Sequence, residues 1–101
     1  MLAMPARAPK NEVRKAFGGL IRELRVQAGL TQEQLSFRAR VHRTYVGNLE
    51  RGEKSPTLDV IIALARALGT EPSLLVDAAV KNAGKASGSK RPPRSRQRVR
   101  G

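Results

Sequence analysis

Val13, Phe17, Leu20, Ile21, Leu24 and Ala28 recur at three- and four-residue intervals, the spacing that lines one face of an α-helix. Asn11 offers an N-cap before this run and Gly29 a C-cap after it. The Gly18–Gly19 pair weakens the helix locally. Thr31, with Gln34 three residues on, has the form of a capping box and opens a second helix of two turns, ending at Ala39. Leu35 and Ala39 point inward there, and Phe37 falls off that face, half exposed. Arg40–Val41–His42 is a tight turn. A third helix starts at Arg43, carries Val46 and Leu49 inward and stops at Gly52. Gly52–Glu53–Lys54–Ser55–Pro56 has turn chemistry. Thr57 caps a fourth helix with Leu58, Ile61, Ile62, Ala65 and Leu68 on its buried side, closed by Gly69. A short fifth helix begins near Pro72, a residue suited to a first helical turn, and carries Leu75, Val76 and Ala79. No stretch alternates with period two. The pattern predicts an all-α, compact bundle of about five short helices without an internal repeat.

The same pattern divides the chain. Residues 1–10 (MLAMPARAPK) hold two prolines and no periodicity, a flexible N-terminal arm. Residues 11–80 form the helical domain. Residues 81–101 carry eight basic groups, no acidic ones and little apolar content, and are expected to be disordered. At 101 residues the chain holds one small domain. With only Phe17, Phe37 and Tyr45 aromatic, the core must be aliphatic. The absence of cysteine excludes disulfides, thiolate zinc and a cysteine nucleophile. One histidine, His42, excludes a multi-histidine metal cluster and most histidine-paired catalysis. No apolar run spans a membrane, and the first ten residues do not make a secretory signal. The chain reads as a cytoplasmic, nucleoid-associated protein without metal or small-molecule cofactor.

Charge sharpens this. Net charge is +12, distributed as +4 over residues 1–80 and +8 over the last 21 residues. Basic blocks attract polyanions, nucleic acid above all, although a tail of this kind can also be merely solubilising.

Two short helices joined by a tight turn in a small basic domain suggest a helix-turn-helix. Residue identities add to the spacing. Gly18, Ile21–Arg22, Leu24–Arg25, Gly29–Leu30–Thr31–Gln32, Leu35, Val41, Val46, Leu49–Glu50–Arg51–Gly52, Pro56–Thr57, Leu64–Ala65 and Leu68–Gly69 stand where a known family has them. The stretch resembles the Cro and phage-repressor type of helix-turn-helix domain, the Xre-like family, over about residues 13–79. The resemblance implies a lambda-repressor-like fold and a transcription regulator, most simply a repressor, acting on double-stranded DNA. It extends into neither tail.

In such a domain helix 3 lies in the major groove, with its N-terminal residues against base edges. Arg43 can pair bidentately with guanine and Asn48 with adenine, and Thr44 can meet a base or a phosphate. All three lie away from the Val46–Leu49 side, as does Gly47, which would let the helix approach closely. The bland alternative is a solvated polar face. Other residues position the domain rather than specify sequence. Gln32 matches a family position that meets phosphate and braces the recognition helix. Tyr45 can offer its hydroxyl to phosphate or pack on helix 2. Lys54 and Ser55 precede helix 4, whose positive end favours a phosphate. Arg38 reaches the backbone or is simply solvated. His42 is a cap or a phosphate contact.

The resemblance also implies an ion pair between Arg25 and Glu50, which makes Glu50 structural rather than a general base. Arg40 stands where the family commonly has Gly, and Ser36 where Ala is usual, at a close helix contact. Family members commonly pair through the end of the domain. Leu68, Leu74, Leu75 and Val76 are the candidates for a homodimer interface, against the reading that they close the monomer core. Besides a regulator, the sequence allows an antitoxin or other protein-interaction module that also binds its own promoter, and a sequence-blind architectural DNA binder. It offers no nucleophile–base pair, metal cluster or phosphate-binding glycine loop for an enzyme.

Overall fold

In the computed structural model, residues 10–88 are described. They form α1 (Lys10–Gln27), α2 (Gln32–Ala39), α3 (Arg43–Glu50), α4 (Leu58–Leu68) and α5 (Pro72–Gly88). The N-terminal arm other than Lys10, and the basic tail beyond residue 88, lie outside the described residues.

The helix ends follow from local chemistry. The Gln34 N–H donates to Thr31 Oγ1 at 3.0 Å, and the Thr31 N–H donates to Gln34 Oε1 at 2.8 Å, a reciprocal capping box at the start of α2. The Val60 N–H donates to Thr57 Oγ1 at 3.2 Å and opens α4. Gly29 and Gly69, both at φ +74°, close α1 and α4 in the left-handed conformation that glycine adopts without strain.

α1 packs along α5 and crosses α3; α2 lies against α3 and α4; α4 meets α5. The core between them is aliphatic apart from Phe17. Ile21, Leu35, Val46, Leu49, Leu64 and Leu75 are the largest fully buried side chains. Each such burial stabilises by about 1.5–3 kcal/mol.

Several sequence expectations change. Asn11 is the second residue of α1 rather than its cap. Ala28 is exposed, because α1 ends at Gln27 and Ala28 turns away with its N–H on the Leu24 and Arg25 carbonyls. Leu58 is exposed as the first residue of α4, and Phe37 is 84% rather than half exposed. Gly18 does more than weaken α1: a Cβ there would overlap the Leu49 carbonyl oxygen and come within 2.8 Å of that of Glu50. The α1–α3 crossing is thus a backbone contact that only glycine permits.

The fifth helix is not short. It runs eight residues past the boundary expected at residue 80, because Leu75, Ala79 and Ala83 continue one buried stripe at four-residue spacing. That stripe takes Leu75 out of the expected dimer face: it is 1% exposed and belongs to the monomer core. Leu68 is partly buried against the same core. Leu74 and Val76 stay 58% and 44% exposed, and Val80 joins them on the surface.

Candidate nucleic-acid interface

α3 is held by its ends and by one buried charge. At its start, His42 Nδ1 accepts from the Thr44 N–H at 3.1 Å, so His42 is the N-cap. At its end, Glu50 turns inward. Its carboxylate takes Arg25 Nε at 2.6 Å, Arg25 Nη2 at 3.1 Å and Gln32 Nε2 at 2.9 Å. Arg25 also donates to the Leu30 carbonyl at 2.8 Å. One carboxylate thereby ties α1, α2 and α3 together. Hydrogen bonding to Glu50 raises the Arg25 guanidinium above the ordinary arginine value, so Arg25 stays charged. Gln32 is therefore a brace on α3: its side-chain amide donates one N–H to Glu50 while the residue remains solvent-exposed.

With the Val46–Leu49 side buried and Glu50 clamped, the opposite side of α3 is presented outward. Arg43, Thr44, Gln32, Arg25, Gly47 and Arg51 line one open cleft between α2 and α3. Arg43 is exposed and lies 3.3 Å from Glu33 of α2, a contact that solvent and salt weaken readily. Thr44 is exposed and Asn48 half-buried. Gly47 lies on this same side of α3 and borders the cleft. It is buried beneath its neighbours, and an added Cβ would stand 3.4 Å from Arg51 and 3.6 Å from Gln32. Those are ordinary van der Waals distances, so the Arg51 and Gln32 side chains cover Gly47 without needing a glycine there.

Arg51, which sequence reasoning did not place at the site, also lines this cleft. Its Nη2 donates to Asn48 Oδ1 at 2.5 Å and its Nε lies 3.1 Å from Glu53 Oε2. The Asn48 side-chain carbonyl is therefore engaged by Arg51 in this structure. Only the spacing of Asn48 and Arg51, three apart on a helix, signalled the pairing.

A second cleft, across the α2–α3 turn, brings Arg38, Arg40, His42 and Arg43 together with the exposed ring of Phe37. Tyr45 is half-buried against the core. Lys54 and Ser55 are exposed in the loop before α4 and line neither cleft; Ser55 instead borders an apolar groove with Val13, Phe17, Val76 and Val80. Among the described residues no group of acidic or histidine side chains is placed to hold a metal ion, and no helix is long and apolar enough to cross a membrane.

The helix-turn-helix family pattern matches residues 21–75, more than half of the chain. The control protein C.BamHI of Bacillus amyloliquefaciens is 38% identical over 68 residues, covering 66% of this chain and 84% of that protein. The restriction-modification controller protein C.AhdI of Aeromonas hydrophila superposes with a TM-score of 0.59 at 46% identity, over 60% of this chain and 92% of that one. The controller C.Esp1396I, solved as a tetramer on its natural 35 base-pair operator, shares the fold at a TM-score of 0.63 and 22% identity, over 72% of this chain and 96% of that one. The chain belongs to the helix-turn-helix family of Xre, or Cro/C1, type, and is a non-enzymatic, sequence-specific DNA-binding transcriptional regulator.

Proposed function

We propose that this regulator acts as a homodimer on a near-palindromic operator, in the manner of a restriction-modification controller or repressor, within the cytoplasm. Each copy lays α3 in the major groove. Arg43, Thr44 and Asn48 meet base edges, and Arg51 joins them once it leaves Asn48. Gln32, His42, Tyr45, Lys54, Ser55 and Arg38 meet phosphates and set the register. The second copy docks on the exposed apolar side chains Leu74 and Val76, with Leu68 at the margin.

The observation that carries this reading is the asymmetry of α3. One side is fixed by Val46, Leu49 and a buried Glu50; the other presents Arg43 and Thr44 to solvent in a cleft of mostly basic and polar groups. A recognition helix needs that combination, because base contacts discriminate only if the helix is held still. The similarity to C.BamHI and C.AhdI supports the controller assignment.

Selection of bound duplexes from a random pool by the full chain, at near-physiological salt, tests it. Enrichment of a near-palindrome with half-sites about one helical turn apart is expected. Retention of duplexes without any enriched motif would overturn it.

A further inference from the structure

We propose that Arg40, in the turn between α2 and α3, grips a DNA phosphate beside the recognition helix; this rests on the DNA-binding geometry proposed above. Four helices end the same way, with an N–H returning to the carbonyl five residues back: Leu30 to Arg25 at 3.0 Å, Val41 to Ser36 at 3.0 Å, Glu53 to Asn48 at 2.9 Å and Thr70 to Ala65 at 2.9 Å. This ending places the residue before the donor in the left-handed region, where a Cβ is strained and glycine is not. Gly29, Gly52 and Gly69 fill three of the four positions. The fourth is Arg40 at φ 60°, the one non-glycine residue with positive φ among the described residues.

Nothing in the fold compensates for that strain. Arg40 is exposed, and its guanidinium makes no hydrogen bond or ion pair with any described residue. Glycine would close α2 equally well. What the strained position adds is an unpaired cation three residues ahead of Arg43. The cleft there is shared with Arg38, His42 and Arg43, and its one acidic residue, Glu33, is already paired with Arg43. Strain kept where no structural contact needs it points to a functional contact. A free guanidinium at the rim of a helix that enters the major groove suits a phosphate, which its planar fork can hold through two hydrogen bonds. Such a contact positions the duplex and carries no sequence information.

Arg40→Gly separates fold from function because the two move in opposite directions. The variant is expected to melt a few degrees higher, since the strain is gone, and to bind DNA more weakly. The loss falls equally on a selected operator and an unrelated duplex. The slope of log K against log salt becomes shallower by about 0.9, so the penalty shrinks about 3.5-fold between about 50 and about 200 mM salt. Arg40→Lys keeps the wild-type slope and gains no stability. Arg66→Ala, which removes a charge from the exposed side of α4, measures the effect of net charge alone, and Arg43→Ala is run alongside. If Arg43→Ala relaxes the sequence preference while Arg40→Gly shifts the slope no more than Arg66→Ala does, the assignment of Arg40 is overturned. If Arg43→Ala leaves the preference intact, the reading of α3 itself fails, and this proposal with it.

Discussion

Arg25 Nε stands 2.6 Å from Glu50 Oε2, joining the last third of α1 to the last turn of α3 through a carboxylate whose side chain is 2% exposed. Gln32 completes the arrangement from α2. Removing one partner of such a pair strands a charge away from water, which costs about 3–5 kcal/mol. Glu50→Ala is therefore expected to lower stability by that order and to weaken DNA binding, because α3 loses its anchor. Glu50→Gln, which still accepts hydrogen bonds, loses less of both. Urea denaturation alongside operator binding checks this; a Glu50→Ala variant of unchanged stability would contradict it.

The two neighbouring glycines of α1 should behave oppositely. Gly18→Ala drives a methyl group into the Leu49 and Glu50 carbonyls, backbone atoms that cannot swing aside. It is expected to cost about 1–3 kcal/mol or more as α1 and α3 are forced apart. Gly19 has nothing within 4 Å of an added Cβ. Gly19→Ala should stabilise by up to about 1 kcal/mol through helix propensity alone. Thermal melts of the two variants decide it, and equal effects would refute the crossing geometry.

Leu75 and its neighbours separate the core from the proposed interface. Leu75→Ala empties a site inside the monomer and should cost about 2–5 kcal/mol of stability. Leu74→Ser and Val76→Ser alter exposed side chains and should leave the monomer fold intact while weakening self-association. Sedimentation at several protein concentrations, paired with melts, tells these apart. Retention of the dimer by the Leu74→Ser, Val76→Ser double variant would place the interface elsewhere.

The sequence shows most where chemistry is local. The Thr31–Gln34 box, the Thr57 cap and the glycines at 29 and 69 each announce a helix boundary through groups a few residues apart. The inward positions of α2 and α3 follow from spacing, and Val46, Leu49, Leu35 and Ala39 are buried as that spacing requires. What periodicity could not show depends on contacts distant in the chain. Gly18 looks like a weak point until the α3 carbonyls are seen against it. Gly47 looks outward until Gln32 and Arg51 cover it. The length of α5 is hidden because Ala83 is small and stands among Lys81, Asn82, Gly84 and Lys85, so the continued stripe appears only against α1. Leu75 and Val76 are adjacent and equally apolar, and only the packing of α5 says which one is inside.

The most direct test of base reading by α3 compares the sites selected by the wild-type chain and by Arg43→Ala from one random pool. Wild type is expected to enrich a near-palindrome. Arg43→Ala should enrich the same site with preference lost at one symmetric base pair in each half, a discrimination worth about 1–3 kcal/mol. An Arg43→Ala variant that binds every duplex more weakly by the same factor, with the selected motif unchanged, would contradict it and make Arg43 a phosphate contact only.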